Sequence, residues 1–120
     1  MERPDGEGAG HIRQHYLHIK GEYPDAIVLY RLGDFYEAFD DDAATCACVL
    51  DVVLTSRSAG RGQPRVRMAG FPVRWAQGYI DRLVTHGYTV AVAEPIAGQN
   101  EWFGEHAVGR VEGGGNDEAS

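Results

Sequence analysis

A chain of 120 residues, 43% hydrophobic and 24% charged, predicts one soluble domain with one modest core. Its net charge of -7 argues, on average, against nucleic acid as a partner, and its single lysine, Lys20, leaves little for amine chemistry. No apolar run has the length of a membrane span, and the acidic, glycine-rich start "MERPDGEGAG" is no secretory signal, so a cytoplasmic protein without a membrane partner is expected.

Residues 1–10 have almost nothing to bury and read as a disordered tail before a domain over 11–108. From His11 to about Glu22 the apolar positions Ile12, Tyr16 and Ile19 recur at helical spacing, with Leu17 beside them. Pro24 ends this helix, because the residue before a proline is pushed out of the helical region. "AIVLYRL" (26–32) is apolar at both parities, the mark of a strand buried on both faces. "GD" is a turn, "FYEAF" the returning strand of a hairpin, and "DDDAATCACVL" a helix whose leading acids suit its dipole.

"DVVLTSR" (51–57) predicts a third strand, "SAGRGQP" a loop and "RVRMAGFP" (65–72) a returning strand. "VRWAQGYIDRLVTHG" is a helix in which Trp75, Tyr79, Ile80, Leu83 and Val84 make one apolar stripe, with Gly87 as its terminator. "YTVAVAEPI" (88–96) is an interior strand; "AGQNEWFGEHAVGRV" is ambiguous, and 109–120 reads as a flexible tail. The expected fold is therefore mixed α/β, with one mixed sheet of five to six strands flanked by about three helices. No glycine fingerprint follows the first strand, so it is not a doubly wound nucleotide fold.

The charge is uneven. The two tails each carry a net -2, leaving the body at -3, and Arg57, Arg61, Arg65 and Arg67 fall within eleven residues that contain no acid. Neither a P-loop nor a nucleophile elbow is present, so no enzyme activity and no cofactor are expected. His11, His15 and His18 could offer two imidazoles to a metal, but with no acidic or cysteine partner nearby in sequence they read as a polar helix face, and no metal site is expected. Asp40, Asp41 and Asp42 suit a helix N-terminus better than a magnesium site. Cys46 and Cys48, at i and i+2 of a helix, diverge and read as small buried or half-buried side chains.

That leaves "GDFYEAF". Alternation in a strand puts Phe35 and Glu37 on one face and Tyr36 and Ala38 on the other. One reading packs the Phe in the core and solvates the Glu. The other makes a ring beside a carboxylate, directly after a turn, a binding element.

Several motifs in order decide which reading to pursue. "YRLGDFYEAFDDDA", then "LDVVLTSR", "MAGFP" and "GYTVAVAEPI", resembles the N-terminal mismatch-recognition domain of the MutS DNA mismatch-repair family, over about Gln14 to Glu94. The resemblance implies that Phe35 stacks on a mispaired or unpaired base from the minor groove and that Glu37 hydrogen-bonds that base. An inserted ring kinks the duplex, and a mismatch deforms more cheaply than a correct pair. A carboxylate only accepts hydrogen bonds, so it rewards a base that offers a ring N–H. By the same resemblance Arg57 meets DNA, where phosphate contact and a solvated basic loop are both open. Met68 lies near the DNA in this family, or else packs in the core; Gly70 and Pro72 suit a turn.

The partner implied is double-stranded DNA with mismatches or small loops, together with other mismatch-repair chains; no small-molecule substrate is implied. Val73, Arg74 and Trp75 depart from the family's usual residues after "G-x-P", and Pro95 replaces a usual glutamine. A second reading is a divergent stand-alone module that keeps the fold and acts through protein contacts. A nuclease would need a carboxylate–lysine cluster, which Lys20 looks too isolated to supply.

Overall fold

The run "AIVLYRL" is apolar at both parities because it lies in the middle of a sheet, with helices against both of its faces. The computed structural model describes residues 6–95 and 106–111. In chain order its elements are α1 (Gly6–Glu22), β1 (Ala26–Leu32), β2 (Phe35–Phe39), α2 (Asp40–Leu50), β3 (Thr55–Arg57), β4 (Val66–Pro72), a 3₁₀ turn (Val73–Trp75), α3 (Ala76–Thr85), β5 (Thr89–Pro95) and β6 (His106–Val111). The strands form one sheet in the order β3-β4-β2-β1-β5-β6, with β1 and β5 parallel and the other neighbours antiparallel. The six strands and three α-helices among the described residues thus make the mixed α/β fold that was expected.

Two clusters divide the core. On one face α1 lays Ile12, Tyr16 and Ile19 over Val28, Tyr30, Phe39, Met68 and Ala91. On the other, α2 and α3 bring Ala43, Cys46, Leu50 and Leu83 onto Ile27, Leu29, Tyr36, Phe71 and Val90. Each large side chain fully buried in this way contributes roughly 1.5–3 kcal/mol of hydrophobic stabilisation.

One buried polar cluster joins the layers. In the β1–β2 register Tyr30 pairs with Glu37, which sets Val28 opposite Phe39, the last residue of β2. Beyond Phe39 the chain turns through Asp40, whose φ of 56° an aspartate tolerates, and enters α2. Asp42 then stands where more strand would have been, and its Oδ2 accepts the Val28 N–H at 3.1 Å. The same carboxylate accepts the Tyr16 hydroxyl at 2.5 Å and the Lys20 ammonium at 3.0 Å, both from α1. Burial first, and then Asp42, push the Tyr16 hydroxyl pKa far up, so it remains a donor. Lys20 looked isolated along the chain, but in space it is paired.

The structure corrects several expectations. α1 begins at Gly6, within the stretch expected to be disordered, and at Gly10 an added Cβ would lie 3.3 Å from the Ala59 carbonyl, so the helix start leans on that loop. Residues 1–5 and 112–120 lie outside the described residues, whereas β6 runs past position 108 to Val111. Only Thr55–Arg57 of the predicted third strand is paired. Asp51, at φ 60°, terminates α2, and Val53 after it is 74% exposed. The predicted third helix is a 3₁₀ turn followed by α3, and the tighter turn rotates Trp75 off the apolar stripe, leaving it 58% exposed with the Arg74 guanidinium 5.5 Å from its ring. Gly87, at φ 95°, does terminate α3, with Tyr88 N–H bonded to the Leu83 carbonyl. Cys46 is buried and Cys48 exposed, where both were expected to be at least half-buried.

Asp42→Ala removes the acceptor for three donors and should destabilise the fold by about 3 kcal/mol in urea denaturation. Asp41→Ala, one residue earlier in the same helix turn but exposed, should shift the midpoint far less; equal effects would show that the buried cluster contributes nothing.

Candidate nucleic-acid interface

Gly33 and Asp34 form a two-residue hairpin loop, and Gly33 takes a φ of 60° that a side chain would resist. Phe35 follows at once, half-buried in the last row of the sheet, between Leu32 of β1 and Pro72 of β4. Two residues on, Glu37 sits between Tyr30 and Gly70. Phe35 and Glu37 share the α1 side of the sheet, while Tyr36 packs into the opposite core, so the alternation expected from the sequence holds.

Glu37 is not solvated. It is fully buried, at 0% exposure, and Gly70 makes the room for it. A Cβ built at Gly70 would stand 2.6 Å from Glu37 Oε1 and 2.4 Å from the Tyr36 carbonyl oxygen. Gly70 is therefore no turn residue: it lies mid-strand, as the cradle for a buried carboxylate. Met68, next on the same face between Phe39 and Thr55, is also 0% exposed and packs in the α1 core. It supports Phe35 and Glu37 from within and presents no side chain at the surface.

Arg57, Arg61, Arg65 and Arg67, clustered in the sequence, do not converge in space. Arg57 pairs with Val66 and so lies on the α1 side, half-buried, and its buried Nε–H has no hydrogen-bond partner among the described residues. Ser56 pairs with Arg67, which faces the other side and meets Asp41 at 2.8 Å. Arg65 leans back on Ser56, its Nε donating to Oγ at 2.8 Å, and Arg61 is exposed. Phe35 is level with Pro72 and Arg57 with Val66, so six residues of β4, about 20 Å, separate their rows.

Near Arg57's end of the sheet a cavity of about 540 Å³ opens between the start of α1 and the β3–β4 loop, lined by His11, Arg13, Asp40, Arg61, Gln63 and Arg65 among others. Arg13, which sequence reasoning missed, grips both Asp40 oxygens, and this hydrogen bonding raises the guanidinium pKa. Its signal in the sequence was weak: one basic residue on a helix, 27 positions from its partner. Of the predicted histidine face, His15 Nδ1 lies 2.7 Å from the Tyr30 hydroxyl and His18 Nε2 lies 3.8 Å from Glu22. Among the described residues no three His, Cys, Asp or Glu side chains gather as a metal site, and no helix is long and apolar enough to cross a membrane.

Residues 11–111 match the family model for MutS domain I. The chain belongs to the MutS domain I family. It is 55% identical to the DNA mismatch repair protein MutS of Geobacillus thermodenitrificans over 83 residues, 69% of this chain and 9% of that protein. The MutS of Symbiobacterium thermophilum is 53% identical over 81 residues, 68% of this chain and 9% of that protein. The MutS of Dehalococcoides mccartyi is 46% identical over 93 residues, 78% of this chain and 11% of that protein. The chain thus spans about a tenth of the length of these relatives. The MutS domain I resemblance noted from "GDFYEAF" and its companions therefore holds across the sheet described above.

Gly70→Ala should destabilise the domain by about 1–3 kcal/mol, since backbone and a buried carboxylate must both move. An unchanged melting temperature would show that Glu37 does not need the cradle. Burial first, and then the neighbouring His18, hold the His15 pKa below 6.5, so the unfolded chain takes up its proton before the folded one does. This residue's contribution to stability should be complete above about pH 6.5 and fade as the pH falls through the folded value. Urea midpoints of the wild type and His15→Gln, compared from pH 8 to pH 5, should diverge in that window, and parallel curves would refute it.

Proposed function

We propose that this chain recognises mispaired or unpaired bases in double-stranded DNA, with Phe35 as the wedge and Glu37 as the base-checking carboxylate. The observation that carries the reading is the placement of both side chains on one face at the end of the sheet, directly after the Gly33–Asp34 turn, in a MutS domain I. The chain acts by binding, without a reaction of its own. Phe35, half-buried in the last row, is the first to meet a base step; its ring enters from the minor groove and stacks on the base. Aromatic stacking contributes roughly 1–3 kcal/mol per base, while bending a short duplex costs on the order of 1–6 kcal/mol. A correct pair does not meet that cost, whereas a mismatch, already short of stacking and pairing, lowers it.

Glu37 lies one pleat behind Phe35 and comes into play only after the ring has gone in. Held by Gly70 in a place away from water, its carboxylate accepts a ring N–H that a correct pair keeps to itself. Arg57, on the same face about 20 Å along, reaches the backbone about six base-pair steps away. With a net charge of -7 the chain binds DNA weakly by itself, and other mismatch-repair chains supply the rest of the grip. The exposed Val53, Leu54 and Trp75 favour a second reading, in which the module works through protein contacts.

Fluorescence anisotropy with a G·T-mismatched duplex and its matched control, at low salt, tests the first reading. Phe35→Ala should abolish the mismatch preference and leave the fold intact. Glu37→Ala should lower discrimination more than it lowers affinity for the matched duplex. Equal preference in Phe35→Ala would refute the wedge, and a uniform loss of affinity in Glu37→Ala would refute the check.

A further inference from the structure

The hairpin tip that carries Phe35 is held from the opposite side of the sheet by groups the proposed reading does not use. Arg31 pairs with Tyr36 across β1 and β2, and the parallel register of Tyr30 with Ala93 places Glu94 on its other flank. These three side chains form a row one step in from Phe35, on the face that α2 and α3 cover. The Tyr36 ring packs near Phe71, with centroids 6.2 Å apart, and its hydroxyl donates to Glu94 Oε2. Arg31 Nη1 donates to Glu94 Oε1 at 3.2 Å, and Arg31 Nε donates to the Gly33 carbonyl at 2.9 Å. The other loop residue is held as well: the Val73 N–H donates to the Asp34 carbonyl at 2.8 Å.

Phe35 is thus fixed at both neighbours, since Asp34 is tied to β4's end and Tyr36 to β5. We propose that Glu94, acting through Arg31 and Tyr36, is a positioning residue that stiffens the hairpin tip so that Phe35 can work as a wedge. The proposal rests on the mismatch reading above. A ring pushed into a base stack is pushed back, and a two-residue loop in the last row of a sheet would fray under that load. A tip that yields forfeits the kink, so stiffness there becomes discrimination. The carboxylate suits the task because its two oxygens accept from two different strands at once, and its side chain, 38% exposed, is partly sheltered from water. Burial first, and then the bond to Glu94, push the Tyr36 pKa up to about 12, which keeps that hydroxyl a donor at neutral pH.

The test compares the 120-residue chain as wild type, Tyr36→Phe, Glu94→Gln and Glu94→Ala. Two readouts are taken: anisotropy on G·T and matched duplexes, and amide hydrogen exchange over residues 33–37. Tyr36→Phe removes one hydroxyl and keeps the ring, so it guards against a variant that fails to fold. In Tyr36→Phe and Glu94→Ala the preference for the mismatch should fall about 2- to 10-fold, the range spanned by one net hydrogen bond, with matched-duplex affinity unchanged. Exchange should quicken over 33–37 and nowhere else, and Glu94→Gln, which keeps an acceptor for Tyr36, should fall in between.

Unchanged preference in both Tyr36→Phe and Glu94→Ala would overturn the proposal, as would a parallel fall in both affinities with faster exchange across the whole sheet. If the wild type itself shows no preference, the mismatch reading fails, and the exchange arm decides the clamp alone. Exchange quickened only over 33–37 would uphold it, and unaltered exchange would overturn it.

Discussion

A strand in the middle of a sheet that helices cover on both faces has no solvent face, and β2 is such a strand. Four of its five side chains are buried, and one of those is a carboxylate. The rest of the proposed reading face follows from that constraint. Because side chains alternate, Phe35, Glu37 and Phe39 share the α1 side, and the last two are shut in beneath it. Because Glu37 fills the space where a neighbour's Cβ would stand, the residue opposite it on β4 has to be Gly70. Only Phe35, in the end row, retains some access to solvent. A buried carboxylate is costly to a fold, and this one lies at the heart of the sheet, one pleat from an accessible ring, the placement that the proposed reading uses.

On the proposed reading, the charges explain why so acidic a chain should meet DNA only weakly. Arg13, Lys20, Arg31, Arg67 and Arg110 each meet a carboxylate of the same chain. The pairs made by Arg67 and Arg110 are exposed and contribute little to stability, yet they also offer phosphates less unscreened charge. The Lys20–Asp42 pair is a different case: it closes a cluster that joins α1, β1 and α2, and it fixes where β2 ends. Specificity in this account therefore comes from geometry at one hairpin, and electrostatic attraction has a minor part.

Much of this was legible in the sequence where local chemistry and burial agree. "DDDAATCACVL" forms a helix over the predicted residues, because acids at its start and alanines in its body favour the state that packing also favours. The hairpin was legible from its Gly-Asp turn, and the shared face of Phe35 and Glu37 from simple alternation. Trp75 was misplaced because a 3₁₀ turn broke the helical phase, and Val52–Leu54 because a strand-prone apolar run needs a partner strand as well as propensity. Glu37's burial was not legible: a glutamate in a strand looks solvated until its neighbours are known. The Arg31–Glu94–Tyr36 row was hidden for a similar reason, since Glu94 lies 63 positions from Arg31 and 58 from Tyr36, and only parallel pairing brings them together.

The most direct measurement is amide chemical-shift mapping of the chain as a G·T-mismatched duplex, and separately its matched control, is titrated in. With the mismatched duplex, shifts are expected over residues 33–37 and at Gly70 that the matched one does not produce. Identical maps for the two duplexes, or shifts confined to Trp75 and α3, would contradict a reader built on Phe35 and Glu37.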